Sequence, residues 1–544
     1  MKINLTRLCL CLVLVLMLPA CTSKGLKLEN SNSLLVNKFG VLCNPQGSIG
    51  FDRRKVTCKS EDGNHAYVST SELSSLVKAD LLEAERYAQQ NESDKVKLLI
   101  YIHGGLNRVT DSLVNNEALK SAITTDEENW YYPRFFVWPS DGLTNYSEHA
   151  LNISGGRYTE NVVRGLFGGV ATLISDSLQA IVNIPRSWFT QAVNVKDHIW
   201  ALNDRRYLDS SNAITSPFRV SHAWVQAREN YCLYADLSND SSNCLEGGYV
   251  NKAQDVTTKS NKSDENNANI YWSSYERNSR NPLKNPKIVW ERVSALSRIS
   301  VGALTHSEIG AASWRNMKRR AENITSPTVI FDSRIKERHS CSNNGLTCAS
   351  GMQYFDELLS QINDSENPGR YELTLIGHSM GAFILNSIIN SNLDNLVDHQ
   401  IVKDVVYMAA ATTIQDTVQT IHNLYHAYAT RGIDFDQWPQ VSNLMLNRVA
   451  EISELMFFGL VPSGSLLVWV DEVYERASHP TERTVGSEVN VYSTLPYIER
   501  QLGPYYTNKI TFKAFDRTRG SQPAMHGEFN DGDFWHPEFW RLKN

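Results

Sequence analysis

The chain has 544 residues, of which 42% are hydrophobic, and it carries a formal net charge of −6. This hydrophobic content supports a large folded core and excludes a chain that is disordered throughout. The negative net charge argues against nucleic-acid binding driven by bulk electrostatics. The length fits either two domains or one large domain that carries an insertion.

The first residues have the pattern of a secretory targeting segment. Basic residues precede an apolar run at residues 8–18, which is too short to span a membrane. The run ends in Leu18-Pro-Ala-Cys21, which resembles a bacterial lipobox. This resemblance implies that residues 1–20 are a cleaved signal peptide and that Cys21 carries a lipid that anchors the protein to the membrane. Thr22 resembles the outer-membrane sorting pattern, so we expect an outer-membrane lipoprotein of the cell envelope. An ordinary secretory peptide is the alternative.

Of the nine cysteines, six follow the targeting segment, and this even number fits disulfide bonds in an oxidising compartment. Short loops close at the smallest entropic cost, so neighbouring cysteines are expected to pair. The predicted pairs are Cys43 with Cys58, Cys232 with Cys244, and Cys341 with Cys348. Free buried thiols are the alternative. No pair has a C-x-x-C spacing with nearby His partners, so the sequence predicts neither a metal site nor a cofactor.

The first half of the chain begins with a predicted βαβ unit. Ser69 and Glu72 form a capping-box pattern that predicts a helix reaching about Gln90. A buried strand follows at 97–102, and a second strand at 134–138 stops before a proline. Parallel strands with a helix-sized connection between them indicate an α/β fold.

Residues 145–365 are predicted to be a large insertion, either a cap or a second lobe, because a short helical crossover would otherwise suffice. Within it, residues 162–184 are apolar and rich in small residues. They predict either a lid helix that binds acyl chains or touches a membrane, or a buried cap helix. A helix is also predicted over 287–322, and an additional strand at 328–331.

The C-terminal part contains the stretch around which the chain is organised. A buried strand at 373–376 runs into an apolar helix at 382–389, and Gly377-His-Ser-Met-Gly381 joins them. This G-x-S-x-G turn is expected to hold its serine in a strained conformation and to lift the hydroxyl clear of the sheet. Residues 417–480 are predicted to be helical. Further strands are predicted at 401–411, 489–493 and 509–515.

The strand that ends in His103-Gly-Gly, together with this serine turn, resembles the α/β-hydrolase superfamily over residues 95–140 and 371–416. The resemblance implies a mostly parallel sheet, with a core built from 21–144 and 366–544 and a mainly helical cap at 145–365. It also implies that Ser379 is the nucleophile. The oxyanion hole would be formed by the backbone N–H groups of Met380 and of Gly105 or Leu106. His103 is expected to brace its loop.

An activated serine needs a base, and in this superfamily the histidine follows the last strand. His526, in a His-Gly-x-Phe segment, is the predicted base, whereas His536 lies beside a predicted terminal helix. His378 is expected to pack against the sheet.

The catalytic acid is the least specific part of the pattern. The turn after 489–493, where the superfamily usually places the acid, contains no Asp. A minority of members place it after the preceding strand, where Asp416 lies. Asp516, Asp471 and Glu499 are the alternatives.

The predicted function is that of a serine hydrolase that cleaves carboxylic esters, with an acyl ester or a lipid as substrate. Other acyl chemistry on the same fold is an alternative, because the fold does not determine the reaction. A non-catalytic envelope scaffold is a further alternative. No nucleic-acid partner is expected.

Overall fold

The computed structural model describes the core of the chain. The described residues are mainly 32–44, 67–105, 108–124, 130–154, 307–325, 348–446, 464–475, 479–503, 509–515, 525–530 and 532–540, with shorter pieces elsewhere. The predictions at 1–20, Cys21, Leu106, most of 162–184, Cys232, Cys244, 328–331, Cys341 and Asp516 lie outside them.

The core is a parallel β-sheet. Its strands are β1 (Ser33–Leu35), β2 (Val96–Ile102), β3 (Tyr132–Val137), β4 (Ile270–Trp272), β5 (Tyr371–His378), β6 (Val402–Met408), β7 (Gln440–Leu446) and β8 (Ile510–Phe515). They lie in the order β1-β3-β2-β5-β6-β7-β8-β4, and every neighbouring pair is parallel. The three-residue β4 adds to the edge of the other seven. The predicted α/β class is confirmed.

Helices connect the strands and cover the sheet, as a parallel sheet requires. They are α1 (Thr70–Gln90), α2 (Val109–Thr124), α3 (Gly142–Asn152), α4 (Ser307–Thr325), α5 (Gly351–Asn363), α6 (Gly381–Ser391), α7 (Leu393–Val397), α8 (Ile414–Thr430), α9 (Leu466–Trp469), α10 (Glu488–Ser493), α11 (Leu495–Leu502) and α12 (Pro537–Trp540). The predicted capping box of Ser69 and Glu72 begins α1. Among the described residues, no helix is long and apolar enough to cross a membrane.

Smaller elements lie outside this sheet. Leu26–Lys27, Ser48–Asp52 and Lys55–Lys59 form a three-stranded antiparallel sheet, and Ile153–Ser154 pairs with Arg157–Tyr158. Cys43 and Cys58 are both buried, and their Cα atoms are 5.6 Å apart. A disulfide bond spans such a separation. The complete pairing of the six cysteines stays a prediction.

The register of β5 brings the carboxyl ends of three neighbouring strands together. Gly377 of β5 pairs with Ile102 of β2 and with Tyr407 of β6. The strand interiors are buried because helices cover both faces. The loops that follow β2, β5 and β6 therefore meet at one edge of the sheet.

Two secondary-structure predictions were wrong. Residues 440–446, which were included in a helical region, form the buried strand β7. Residues 489–493, which were predicted as a strand, belong to helix α10. Each is a short run containing apolar residues, and a run of this length does not distinguish a strand from a helix by periodicity.

Helix α5 belongs to the predicted insertion by its position in the sequence but packs in the main core. It falls within 145–365, but Met352, Phe355 and Leu359 belong to the main hydrophobic core. Helix α4, also from the insertion, is anchored to the end of β3. Arg320 is 1% exposed, bonds Glu148 and donates from Nη1 to the Pro139 carbonyl oxygen at 2.6 Å.

Candidate active site

Ser379 lies in the turn between β5 and α6, with a φ of +50°. A non-glycine residue in this region is strained and needs support from its surroundings. Its N–H donates to the Met408 carbonyl oxygen at 2.9 Å, and its carbonyl oxygen accepts from the N–H of Ala411 at 3.0 Å. Both contacts come from the end of β6 and the loop that follows it. The neighbouring strand therefore holds the serine in its strained conformation.

The glycines of the G-x-S-x-G turn allow the helix to start against the sheet. A Cβ added at Gly381 would lie 2.2 Å from the carbonyl oxygen of Ile102. A Cβ at Gly377 would lie 3.0 Å from the Cα of Ala382. Glycine has no Cβ, so α6 can approach β2 closely.

His526 is the residue that the fold brings to the serine. Its Nε2 lies 2.8 Å from the Ser379 Oγ, although the two residues are 147 positions apart. Burial lowers the pKa of His526 well below its usual value, so the ring is neutral near pH 7. If Nε2 accepts the serine proton, the ring hydrogen is on Nδ1, which has no hydrogen-bond partner among the described residues. His536, by contrast, follows a short 3₁₀ turn and precedes α12.

The backbone N–H and the carbonyl oxygen of His526 both form hydrogen bonds. The backbone N–H donates to Glu454 Oε2 at 2.8 Å. The carbonyl oxygen lies 3.1 Å from His378 Nε2, which donates to it. His378 is buried, as its predicted packing against the sheet requires.

The loop after β2 is braced by its own histidine. The N–H of Trp138 donates to His103 Nε2 at 3.0 Å, so the ring hydrogen is on Nδ1. That Nδ1 donates to the Gly104 carbonyl oxygen at 2.7 Å, and Ser140 Oγ donates to the same oxygen at 3.1 Å. Burial lowers the pKa of His103 to about 4, which keeps this arrangement neutral.

This loop lies directly on the serine turn. A Cβ at Gly104 would lie 2.7 Å from the Ser379 Cβ, and a Cβ at Gly105 would lie 2.8 Å from the Met380 Cγ. The Met380 N–H is at the start of α6, where an N–H has no acceptor within the helix. The predicted oxyanion residues Gly105 and Met380 are thus adjacent.

Among the described residues, Asp416, the predicted acid, forms no hydrogen bond or ion pair with His526. Asp416 is exposed in the first turn of α8, where its N–H donates to Thr413 Oγ1 at 3.0 Å. His526 is 6% exposed. An acid that orients a base must share its buried site.

The alternative Asp471 has a structural environment. Its carboxylate accepts from the Thr484 N–H at 2.8 Å and from the Asn490 side chain at 2.6 Å. Burial raises the pKa of Asp471 to about 6, although Arg483 and these hydrogen bonds lower it in part. The side chain of Glu499 lies outside the described part of the chain.

Two glutamates that the sequence reasoning missed follow β7. Glu451 is fully buried, and its Oε2 accepts from Ser487 Oγ at 2.7 Å. Glu454 accepts from the His526 N–H. Both were overlooked because β7 was predicted as helix. The sequence signal for the strand β7 was Pro439, which precedes an apolar run that stops shortly before the two glutamates.

Taken together, these contacts place the Ser379 hydroxyl within hydrogen-bond distance of the neutral His526 ring. The glycine loop after β2 lies close to the same serine. Such an arrangement can generate a nucleophile, and nearby N–H groups can stabilise a developing oxyanion. Comparisons of this chain with protein-family models, curated proteins and solved structures found no match.

Proposed function

We propose that the chain is a serine hydrolase of the α/β-hydrolase type that cleaves carboxylic esters through an acyl-enzyme. The observation that carries the proposal is the 2.8 Å contact between Ser379 Oγ and His526 Nε2. This contact occurs on a strained strand-to-helix turn, which is where an α/β-hydrolase holds its nucleophile.

In this proposal His526 takes the proton of Ser379 while the oxygen attacks the acyl carbonyl. The tetrahedral oxyanion is held by the N–H of Met380 and by one from Gly105 or Leu106. Collapse of this intermediate releases the alcohol, which takes its proton from His526. Water then attacks the acyl-enzyme by the same route. Each oxyanion donor would contribute roughly 10²–10³-fold to the rate.

We assign the acid to Glu454 in place of Asp416. Glu454 already accepts the backbone N–H of His526. The Nδ1 of the same residue has no hydrogen-bond partner in the described part of the chain. A rotation of the Glu454 side chain would let its carboxylate also accept the Nδ1 hydrogen. The acid would then follow β7, and the chain order would be serine, acid, histidine.

Variants of the two carboxylates test this assignment. In Glu454→Gln, hydrolysis of a p-nitrophenyl ester should lose about 10³–10⁴-fold in kcat, because the amide cannot stabilise the imidazolium. Asp416→Asn is the matched control and should keep the wild-type rate. A loss in Asp416→Asn with normal activity in Glu454→Gln would reverse the assignment.

A second candidate function is a non-catalytic scaffold. The observation that favours it is that Ser379 is 0% exposed. A substrate can reach this serine only after a movement of the surrounding protein. We propose that the predicted insertion at 145–365, apart from α5, acts as a cap, since the Sδ of Met317 in α4 would lie 3.5 Å from a Cβ at Gly105. Hydrolysis of any ester by wild type but not by Ser379→Ala would exclude the scaffold.

We further propose that the protein is a lipoprotein of the bacterial envelope, anchored through Cys21. The support is the Leu18-Pro-Ala-Cys21 sequence after a short apolar run. Cys21→Ser should move the protein from the membrane fraction to the soluble periplasmic fraction. Release of the wild-type protein from membranes by salt alone would contradict a lipid anchor.

A further inference from the structure

His378, the residue before the nucleophile, has no part in the proton transfers proposed above, yet it touches the base. We infer that His378 is a positioning residue: its Nε2–H donates to the His526 carbonyl oxygen and holds the His526 ring at the Ser379 hydroxyl. This inference rests on the proposed function, and it assigns a role to the variable second residue of the G-x-S-x-G turn.

The position of His378 in the fold carries the argument. It is the last residue of β5, so the strand that presents Ser379 also presents the group that holds the base. The Nε2 to carbonyl oxygen distance is 3.1 Å, and the centroids of the His378 and His526 rings are 5.4 Å apart. Any movement of β5 therefore displaces Ser379 and His378 together.

The His378 ring is enclosed on its other sides. A Cβ at Gly104 would lie 2.9 Å from His378 Nδ1, and the Phe529 ring centroid is 6.4 Å from that of His378. The imidazole thus fills the space between the braced glycine loop and the His526–Asn530 turn. The ring also interacts with the Asn530 side chain, so both of these polar contacts of His378 lie on the His526–Asn530 turn.

The protonation state of His378 suits this role. Burial lowers the pKa of His378 to about 4, so the ring is neutral at pH 7. Since Nε2 donates to a carbonyl oxygen, the second nitrogen of the neutral ring carries no hydrogen. When His526 becomes an imidazolium during the reaction, the neutral His378 ring adds no opposing positive charge.

The His526 backbone is held by two hydrogen bonds. His378 donates to its carbonyl oxygen, and Glu454 accepts from its N–H. Removal of the His378 donor leaves a buried carbonyl oxygen unpaired, which favours a shift of the turn. A misplacement of about 1 Å in a catalytic group can reduce the rate by about 10²-fold.

The test uses the mature full-length protein as wild type, His378→Leu and His378→Gln. Leucine removes the donor, whereas glutamine retains an N–H that can reach the same carbonyl oxygen. Leu424→Ala, a core variant in α8, controls for a general loss of stability. The readouts are the limiting rate and the apparent affinity for fluorophosphonate labelling, and the crystallographic distance from Ser379 Oγ to His526 Nε2.

We expect His378→Leu to lower the limiting labelling rate by about 10–100-fold with unchanged apparent affinity, and to move His526 beyond hydrogen-bond reach of Ser379. His378→Gln should restore most of the rate, and Leu424→Ala should keep it. A His378→Leu protein that retains the hydrogen bond overturns the inference, as does a rate loss no larger than that of Leu424→Ala.

If the wild-type protein does not label at all, the proposed function fails. The crystallographic distance in His378→Leu then decides the positioning role by itself. If His378→Leu does not fold, His378→Met, which also lacks a donor, replaces it with the same readouts.

Discussion

Burial determines the charge of the three histidines around Ser379. The pKa of His103 and that of His378 are each lowered to about 4, and that of His526 is lowered well below its usual value. In each case desolvation is the largest cause, because a charged ring in the interior loses its hydration. The site is therefore assembled from neutral imidazoles, and their hydrogen bonds fix which nitrogen carries the hydrogen.

These lowered pKa values have a consequence for stability. An unfolded histidine titrates near pH 6.5, so between about pH 6.5 and 4 the unfolded chain binds a proton that folded His103 does not. The stabilisation is present above about pH 6.5 and is lost as the pH falls. Each such histidine should contribute a slope of about 1.4 kcal/mol per pH unit.

His103→Leu tests this effect at one residue. The variant should be less stable than wild type at pH 7, because the N–H of Trp138 loses its acceptor. Its free energy of unfolding should nevertheless fall less steeply with acid, by about 1.4 kcal/mol per pH unit between pH 6.5 and 4. Urea unfolding at several pH values measures both quantities. Parallel pH dependences in the two proteins would contradict a buried neutral His103.

At the scale of elements, the β5–α6 turn depends on close contact between a helix and a strand. Ser379 keeps its positive φ because Met408 at the end of β6 accepts from its N–H and Ala411 in the following loop donates to its carbonyl oxygen. The start of α6 lies against the end of β2, where the glycine loop begins. The proposed nucleophile and the proposed oxyanion donors are therefore positioned by backbone packing as well as by side chains.

Gly381→Ala tests this contact. The new Cβ would lie 2.2 Å from the Ile102 carbonyl oxygen, so β2 and α6 must separate. We expect a loss of at least about 1–3 kcal/mol in the free energy of unfolding, together with loss of labelling.

Gly527→Ala is the matched control for this substitution. No atom of the described residues lies within 4 Å of a Cβ added there, although Gly527 directly follows His526. Its stability should stay within about 0.5 kcal/mol of wild type, and its labelling rate should be unchanged. Equal stability of Gly381→Ala and Gly527→Ala in thermal unfolding would show that the β2–α6 contact has been misjudged.

The elements differ in how far they could be predicted from sequence. The long buried runs at β2, β5 and β8 gave strands in the correct places, and the capping box gave the start of α1. The segment Gln440–Leu446 contains leucine and methionine, which also suit a buried helix, so β7 was missed. Glu454, the acid that we propose, follows that strand and was missed with it.

At the scale of the whole molecule, the sheet brings together segments that are far apart in sequence. The loop at 103–105, the turn at 377–381 and the turn at 526–530 meet at the carboxyl edge of β2 and β5. The contact between Ser379 and His526 could be predicted because each residue lies in a local motif beside a strand. The contact between Glu454 and His526 could not, since it depends on which loop reaches His526 in three dimensions.

The central claim is that Ser379 is an activated nucleophile, and its most direct test is covalent labelling. The folded mature protein is treated with a small fluorophosphonate, and the modified residue is identified by mass spectrometry. The account predicts a single adduct on Ser379, no adduct in Ser379→Ala, and strongly slowed labelling in His526→Ala. Absence of any adduct on the folded wild-type protein, or an adduct that persists in Ser379→Ala, would contradict it.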